Sequence, residues 1–124
     1  MSIENPDNIT PLILAYVGDS ALEVLVRQKL AMEGITKPGE INKLALNYVT
    51  AKNQCAACDR IMEHLTEKES DIYRRGKNAK SHSNPRNVSV YEYRKATGLE
   101  AVFGYNYLLG NHERNKELFA IAYE

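Results

Sequence analysis

Apolar residues recur every three to four positions through most of the chain, the spacing of one helix face. The first run, PLILAYVGDSALEVLVRQKL, opens at Thr10-Pro11 and closes at Gly34. Thr suits the N-cap, Pro the first helical position and Gly the turn after the end. A second run starts near Thr36-Lys37-Pro38 and carries INKLALNYV; a third, AKNQCAACDRIMEHL, follows Thr50. Thr66 and Glu69 have capping-box spacing, in which two side chains satisfy backbone N–H groups at a helix start. The short helix EKESDIYRR follows and is predicted to stop near Gly76. SHSNPRN, residues 81–87, reads as a loop. Ser89 and Glu92 repeat the capping-box spacing and open a long segment through Leu109, closed by Gly110. Asn111 is the expected cap of a last helix ending near Tyr123. Only VSVYEY alternates briefly in the manner of a strand. The pattern predicts an all-α fold of six or seven helices, in a single domain over residues 1–124.

Two acids break this pattern. Asp19 follows Gly18 in the middle of the first run, and Glu100 stands in ATGLEAVFGYNYLLG between Leu99 and Ala101. An unpaired buried carboxylate costs several kcal/mol, roughly, and an interior Gly about 1 more. Small neighbours (Gly18, Gly98, Ala101) would leave room for a metal ion and its waters. Magnesium takes oxygen ligands, keeps several waters and needs few carboxylates. The alternative is that each acid is exposed, or hydrogen-bonded where helices touch.

Charge sharpens the reading. The total is balanced, 16 Lys+Arg against 16 Asp+Glu. From Arg74 to Lys95, however, seven bases face one acid, +6, and the remainder carries −6. RRGKNAKSHSNPRN can lay Lys, Arg and backbone N–H groups along phosphates, or can simply be a solvated loop. It has little aromatic content, so reading the backbone of a duplex suits it better than stacking single-stranded bases. No run of 18 apolar residues would span a membrane, and MSIENPDN is unlike a secretory signal, so a cytoplasmic location is expected. Cys55 and Cys58 form a lone C-x-x-C; with His64 as the only plausible third ligand, two small helix residues, one facing the core, are the simpler account. His82 and His112 are read as exposed or satisfied.

LAYVGDSALEVLVRQKL resembles the signature helix of the ribonuclease III family, whose core runs E-x-x-x-F-L-G-D followed by Ala or Ser. RRGKNAKSHSNP, then YRKATGLEAVFGYNYL, resembles the family's Mini-ribonuclease III branch, as do KPGEINKLALNYVTAKNQ and LTEKES. The resemblance implies an all-helical ribonuclease III domain without a separate RNA-binding domain. It implies a homodimer that cuts double-stranded RNA with Mg2+, leaving 5′-phosphate and 3′-hydroxyl ends. The branch matures large-subunit (23S) ribosomal RNA precursors, so that RNA, with a ribosomal protein presenting it, is the implied partner set. The family's two central acids fall on Asp19 and Glu100, as catalytic residues and metal ligands. Two further acids of the larger enzymes fall on Ala15 and Thr97, which fits the reduced set of the branch. Glu23 and Thr97 are assigned supporting positions, whereas Glu40 is not assigned as a ligand. Arg74, Arg75, Lys77, Asn78, Lys80 and Arg86 are expected to grip the duplex. Two rivals stand beside this: a non-cleaving RNA-binding protein of the same fold, and a helical protein-interaction domain.

Overall fold

Every predicted helix is present in the computed structural model, which describes residues 5–80 and 89–123. The helices are α1 (Pro11–Met32), α2 (Pro38–Val49), α3 (Ala51–Ile61), α4 (Glu67–Lys77), α5 (Val90–Leu108) and α6 (His112–Ala122). Short 3-10 turns at Pro6–Asn8 and Met62–His64 complete the described residues, among which there is no strand. VSVYEY, where described, is cap and helix. The predicted loop at 81–87 lies outside the described residues.

The caps work unevenly. Thr66 carries a full box: its hydroxyl accepts from Glu69 N at 3.1 Å, and the Glu69 carboxylate accepts from Thr66 N at 2.9 Å. Ser89 forms half of one. It accepts from Glu92 N at 3.0 Å, but the Glu92 carboxylate takes the Ser89 hydroxyl rather than a backbone N–H. Thr10 and Asn111 occupy N-cap positions without a side-chain cap bond, so Pro11 and the backbone alone start α1 and α6. Gly34 and Gly110 turn the chain at φ 93° and 78°, the left-handed region that glycine enters without strain.

α5 is the axis of the fold, packed by α1, α4 and α3. It is buried nearly all round, with Leu99, Val102 and Phe103 fully enclosed. Such a helix needs partners on every side. Glycine sets how close they come. A Cβ on Gly18 would sit 1.6 Å from the carbonyl oxygen of Glu100, and one on Gly104 would sit 1.9 Å from that of Leu14. The two backbones therefore touch at reciprocal glycines, Gly18 of α1 and Gly104 of α5. α4 does the same: Gly76 lies against Ala101 and Gly98, and Gly98 lies against Tyr73. α4 ends at Lys77, one residue past Gly76 and where the sequence predicts a stop. One expectation changes here: Gly18 and Gly98 serve helix packing rather than space for a metal.

Where α4, α5 and α6 meet, a buried carboxylate joins four segments. Glu69 accepts from Arg114 Nη2 at 2.8 Å and Nε at 3.0 Å, from Asn106 at 2.8 Å and from its own cap N–H. Arg114 also reaches the His64 carbonyl. Burial would push the Glu69 carboxyl up, but Arg114, the Thr66 amide and Asn106 together hold it at about 2. Sequence spacing identifies Glu69 as a cap and gives no hint that it is the centre of a network.

Two predictions follow from this packing. Gly104→Ala should cost at least about 3 kcal/mol in denaturant unfolding, because a backbone carbonyl cannot step aside for a methyl. Glu69→Ala should cost about 3 to 5 kcal/mol at pH 7 by leaving Arg114 unpaired. Its carboxyl is depressed in the fold, so the wild-type advantage is complete above pH 4.5 and disappears as pH falls toward 2. Parallel unfolding curves at pH 7 and pH 3 check both; a Glu69→Ala penalty that persists at low pH would contradict the assignment.

Candidate active site

The glycine crossing brings Asp19 and Glu100 together. Gly18 is seated on the Glu100 carbonyl, so the residue after it on α1 faces the Glu100 side chain. The carboxyls of Asp19 and Glu100 lie within hydrogen-bonding range. They are not equivalent. Glu100 is half-buried, whereas Asp19 is exposed at the rim, the alternative that the sequence left open for it. Burial first, then the hydrogen bond and charge of Asp19, pushes the Glu100 carboxyl up to about 8; Gln54 pulls weakly the other way. Two touching carboxylates are stable only with a proton or a cation between them.

The donor set fits a hard divalent cation. Both acids offer oxygen, both come from rigid helices, and one is open to water, which suits an ion that keeps part of its hydration shell. No cluster of three His, Cys, Asp or Glu occurs among the described residues. The positions of the larger enzymes' extra acids explain why. Ala15 is buried in α1, and the buried Thr97 hydroxyl donates to the Tyr93 carbonyl of its own helix at 2.9 Å. Thr97 is thus engaged with backbone rather than with either acid. Glu23 likewise pairs with Arg27 at 2.7 Å on the exposed surface of α1. Glu40 is exposed in the first turn of α2.

Sequence reasoning missed Gln54. This α3 side chain is only 3% exposed, and its amide nitrogen lies 3.4 Å from Glu100 Oε2. A signal was available: Gln54, Ala57, Cys58 and Ile61 follow helical spacing and form the buried stripe of α3. Tyr123 lies near too. Its phenol is pushed up by burial and then by the charge of Glu100, and it donates to the Tyr48 carbonyl at 2.9 Å.

The basic segment is less uniform than its charge suggests. Arg74, Arg75 and Lys77 occupy the last turn of α4, not a loop, and Asn78 is its C-cap. Cations there also complement the helix dipole. Arg74 pairs with Asp71, while Lys80 is exposed beyond the helix. Arg86 lies outside the described residues, as does His82. Lys95 must be removed from the set: it is buried in α5, bonded to Asp59 of α3 and to the Tyr91 hydroxyl. Cys55 and Cys58 are both buried in α3, where one was expected to face the core; burial pushes the Cys58 thiol up.

Comparison with known proteins agrees with the geometry. Residues 12–111 match the ribonuclease III domain family. The chain is 42% identical over 122 residues to a Mini-ribonuclease 3 of Symbiobacterium thermophilum, spanning 98% of this chain and 94% of that one. It is 44% identical over 109 residues to one of Enterococcus faecalis, spanning 86% and 83%. A crystal structure of a Fusobacterium nucleatum protein superposes with a TM-score of 0.81 at 35% identity, covering 92% of this chain and 91% of that one.

The raised Glu100 carboxyl makes a pH prediction for metal-free protein. A carboxyl that keeps its proton to about 8 in the fold, against 4.5 ordinarily, costs stability progressively as pH rises between those values. Glu100→Gln removes that cost. The melting temperature of the variant relative to wild type should therefore climb from pH 4.5 to pH 8 and level off above. A difference that does not change with pH would contradict the assignment.

Proposed function

The chain belongs to the ribonuclease III family, in its Mini-ribonuclease 3 branch, and is an endoribonuclease; we propose that it cuts double-stranded RNA as a magnesium-dependent homodimer, with Asp19 and Glu100 holding the metal in each subunit. The contact between those two carboxyls carries this reading. No basic side chain is among the groups that set the Glu100 carboxyl, so a divalent cation is the natural partner of the pair. Bound magnesium would supply Lewis-acid activation of water and neutralise charge on the phosphate.

The chain's own groups divide the remaining work. Glu100, anchored at the helix crossing, forms the floor of the site, and Asp19 forms a rim that RNA can approach. Arg74, Arg75, Lys77, Asn78 and Lys80 stand at and just beyond the end of α4 and, with Arg86 further along the sequence, are the groups we assign to the phosphates of a duplex, whose regular spacing suits fixed cations more than base recognition does. The products have 5′-phosphate and 3′-hydroxyl ends. Precursors of large-subunit (23S) ribosomal RNA, presented by a ribosomal protein in the cytoplasm, are the substrate that the branch suggests. No helix among the described residues is long and apolar enough to cross a membrane.

The apolar face of α1 supports the dimer. Ile13, Tyr16 and Val24 are 53%, 76% and 62% exposed, on a helix whose opposite side is fully buried. Tyr16, Val24 and Tyr107 of α5 border one depression of about 250 Å³. A contiguous apolar patch of this kind marks an interaction surface. Its continuation into the helix that carries Asp19 would place two active sites symmetrically about the interface.

Asp19→Asn should lower magnesium-dependent cleavage of a long RNA duplex on the order of a hundredfold to a thousandfold, with duplex binding retained. Normal cleavage by that variant would refute the metal assignment; binding without cleavage by the wild type would favour the non-cleaving rival. For the dimer, Tyr16→Glu combined with Val24→Glu should convert the protein to monomer in sedimentation at micromolar concentration. A wild-type monomer, or an unaltered dimer of the variant, would count against that face.

A further inference from the structure

We propose that Gln54 is a positioning residue of the metal centre, holding Glu100 in the orientation that a site with only two carboxylates requires; this rests on the reading of Asp19 and Glu100 as metal ligands. Gln54 is a polar side chain enclosed among apolar ones, 3% exposed on a stripe otherwise made of Ala57, Cys58 and Ile61. A buried amide is costly unless it is hydrogen-bonded. Here its nitrogen faces Glu100 Oε2 at 3.4 Å.

The helices fix that approach from both ends. α3 and α5 run antiparallel, and five residues along each from the Gln54–Glu100 contact, Asp59 of α3 meets the buried Lys95 of α5. At its other end α3 is tied back to α2, where Asn53 donates to the Leu46 carbonyl at 3.3 Å and to Thr50 Oγ1 at 2.9 Å. Gln54 is therefore presented to Glu100 by a helix that can neither slide nor rotate freely.

The chemistry follows from what the site lacks. Glu100 has three rotatable side-chain bonds, and no acid at position 15 or 97 shares the work of fixing a cation. An amide donor on Oε2 would restrict rotation of the carboxylate, so that Glu100 would be held ready for a cation that it and Asp19 would hold. Partners of metal ligands that act this way are worth about 10- to 100-fold in metal affinity.

The test is Mn2+ binding to the full chain, followed by the electron paramagnetic resonance of free Mn2+, for wild type, Gln54→Leu, Gln54→Met and Glu100→Gln. Gln54→Leu should weaken Mn2+ binding about tenfold or more. Its cleavage of duplex RNA should fall at low magnesium and recover toward wild type at high magnesium, with KM for RNA unchanged. Gln54→Met keeps the length of the side chain and removes only the amide donor, so it should weaken Mn2+ binding in the same way; it decides the matter if the leucine variant does not fold. Mn2+ binding within twofold of wild type in a folded Gln54→Leu or Gln54→Met would overturn the role. If Glu100→Gln itself binds Mn2+ like wild type, it is the metal-site reading that fails. Affinity that depends on Glu100 but ignores Gln54 would overturn only the present inference.

Discussion

The close crossing of α1 and α5 is the constraint on which the rest depends. Two helices ordinarily pack with axes 8 to 10 Å apart, roughly, held off by side chains. Here Gly18 and Gly104 remove those side chains, so each helix rests on a carbonyl oxygen of the other. Nothing larger than hydrogen fits at either point. The residues next to the crossing have their positions dictated by backbone contact rather than by flexible side-chain packing. Asp19 is one residue from the first glycine, and Glu100 supplies the carbonyl that this glycine touches. An active site needs its groups fixed to a fraction of an ångström, and a backbone-on-backbone contact is a rigid way to do it.

Two glutamates in this protein, one buried and one half-buried, show what surroundings do to one residue type. Glu69 meets Arg114, Asn106 and a backbone N–H, and its carboxyl is held at about 2. Its charge is fully satisfied inside the protein, so it has no use for a ligand. Glu100 meets another acid and one amide, and its carboxyl is pushed to about 8. Its charge is left for something from outside. Both sit at contacts with α5: Glu69, on α4, is a saturated carboxylate that ties the fold together, and Glu100, on α5 itself, is an unsaturated one that suits chemistry. Perturbed acids of the second kind gather at functional sites.

The helices were legible in the sequence because periodicity and caps are local. Thr66, Pro11, Pro38 and Ser89 start helices where spacing predicts. Asp19 and Glu100 were legible as a pair because an acid stands out in an apolar run. What surrounds them was not, because it comes from other segments. Gly18 reads equally well as space for a metal or as a helix contact until α5 is placed against it. Gly76 looks like a stop signal, and α4 does end beside it, at Lys77; that Ala101 and Gly98 also require a residue without a side chain there is visible only in the fold. Lys95 counts toward a basic patch in a linear sum, and only the approach of α3 reveals that Asp59 has claimed it. Gln54 carries no charge and no motif; its meaning lies wholly in which carboxylate it faces.

The most direct test is an anomalous difference map from crystals of the protein grown or soaked with Mn2+. The account predicts a strong peak between the carboxylates of Asp19 and Glu100, with Gln54 beside Glu100 and water completing the shell. A well-ordered Mn2+ bound elsewhere, with those two carboxylates bare, would contradict it.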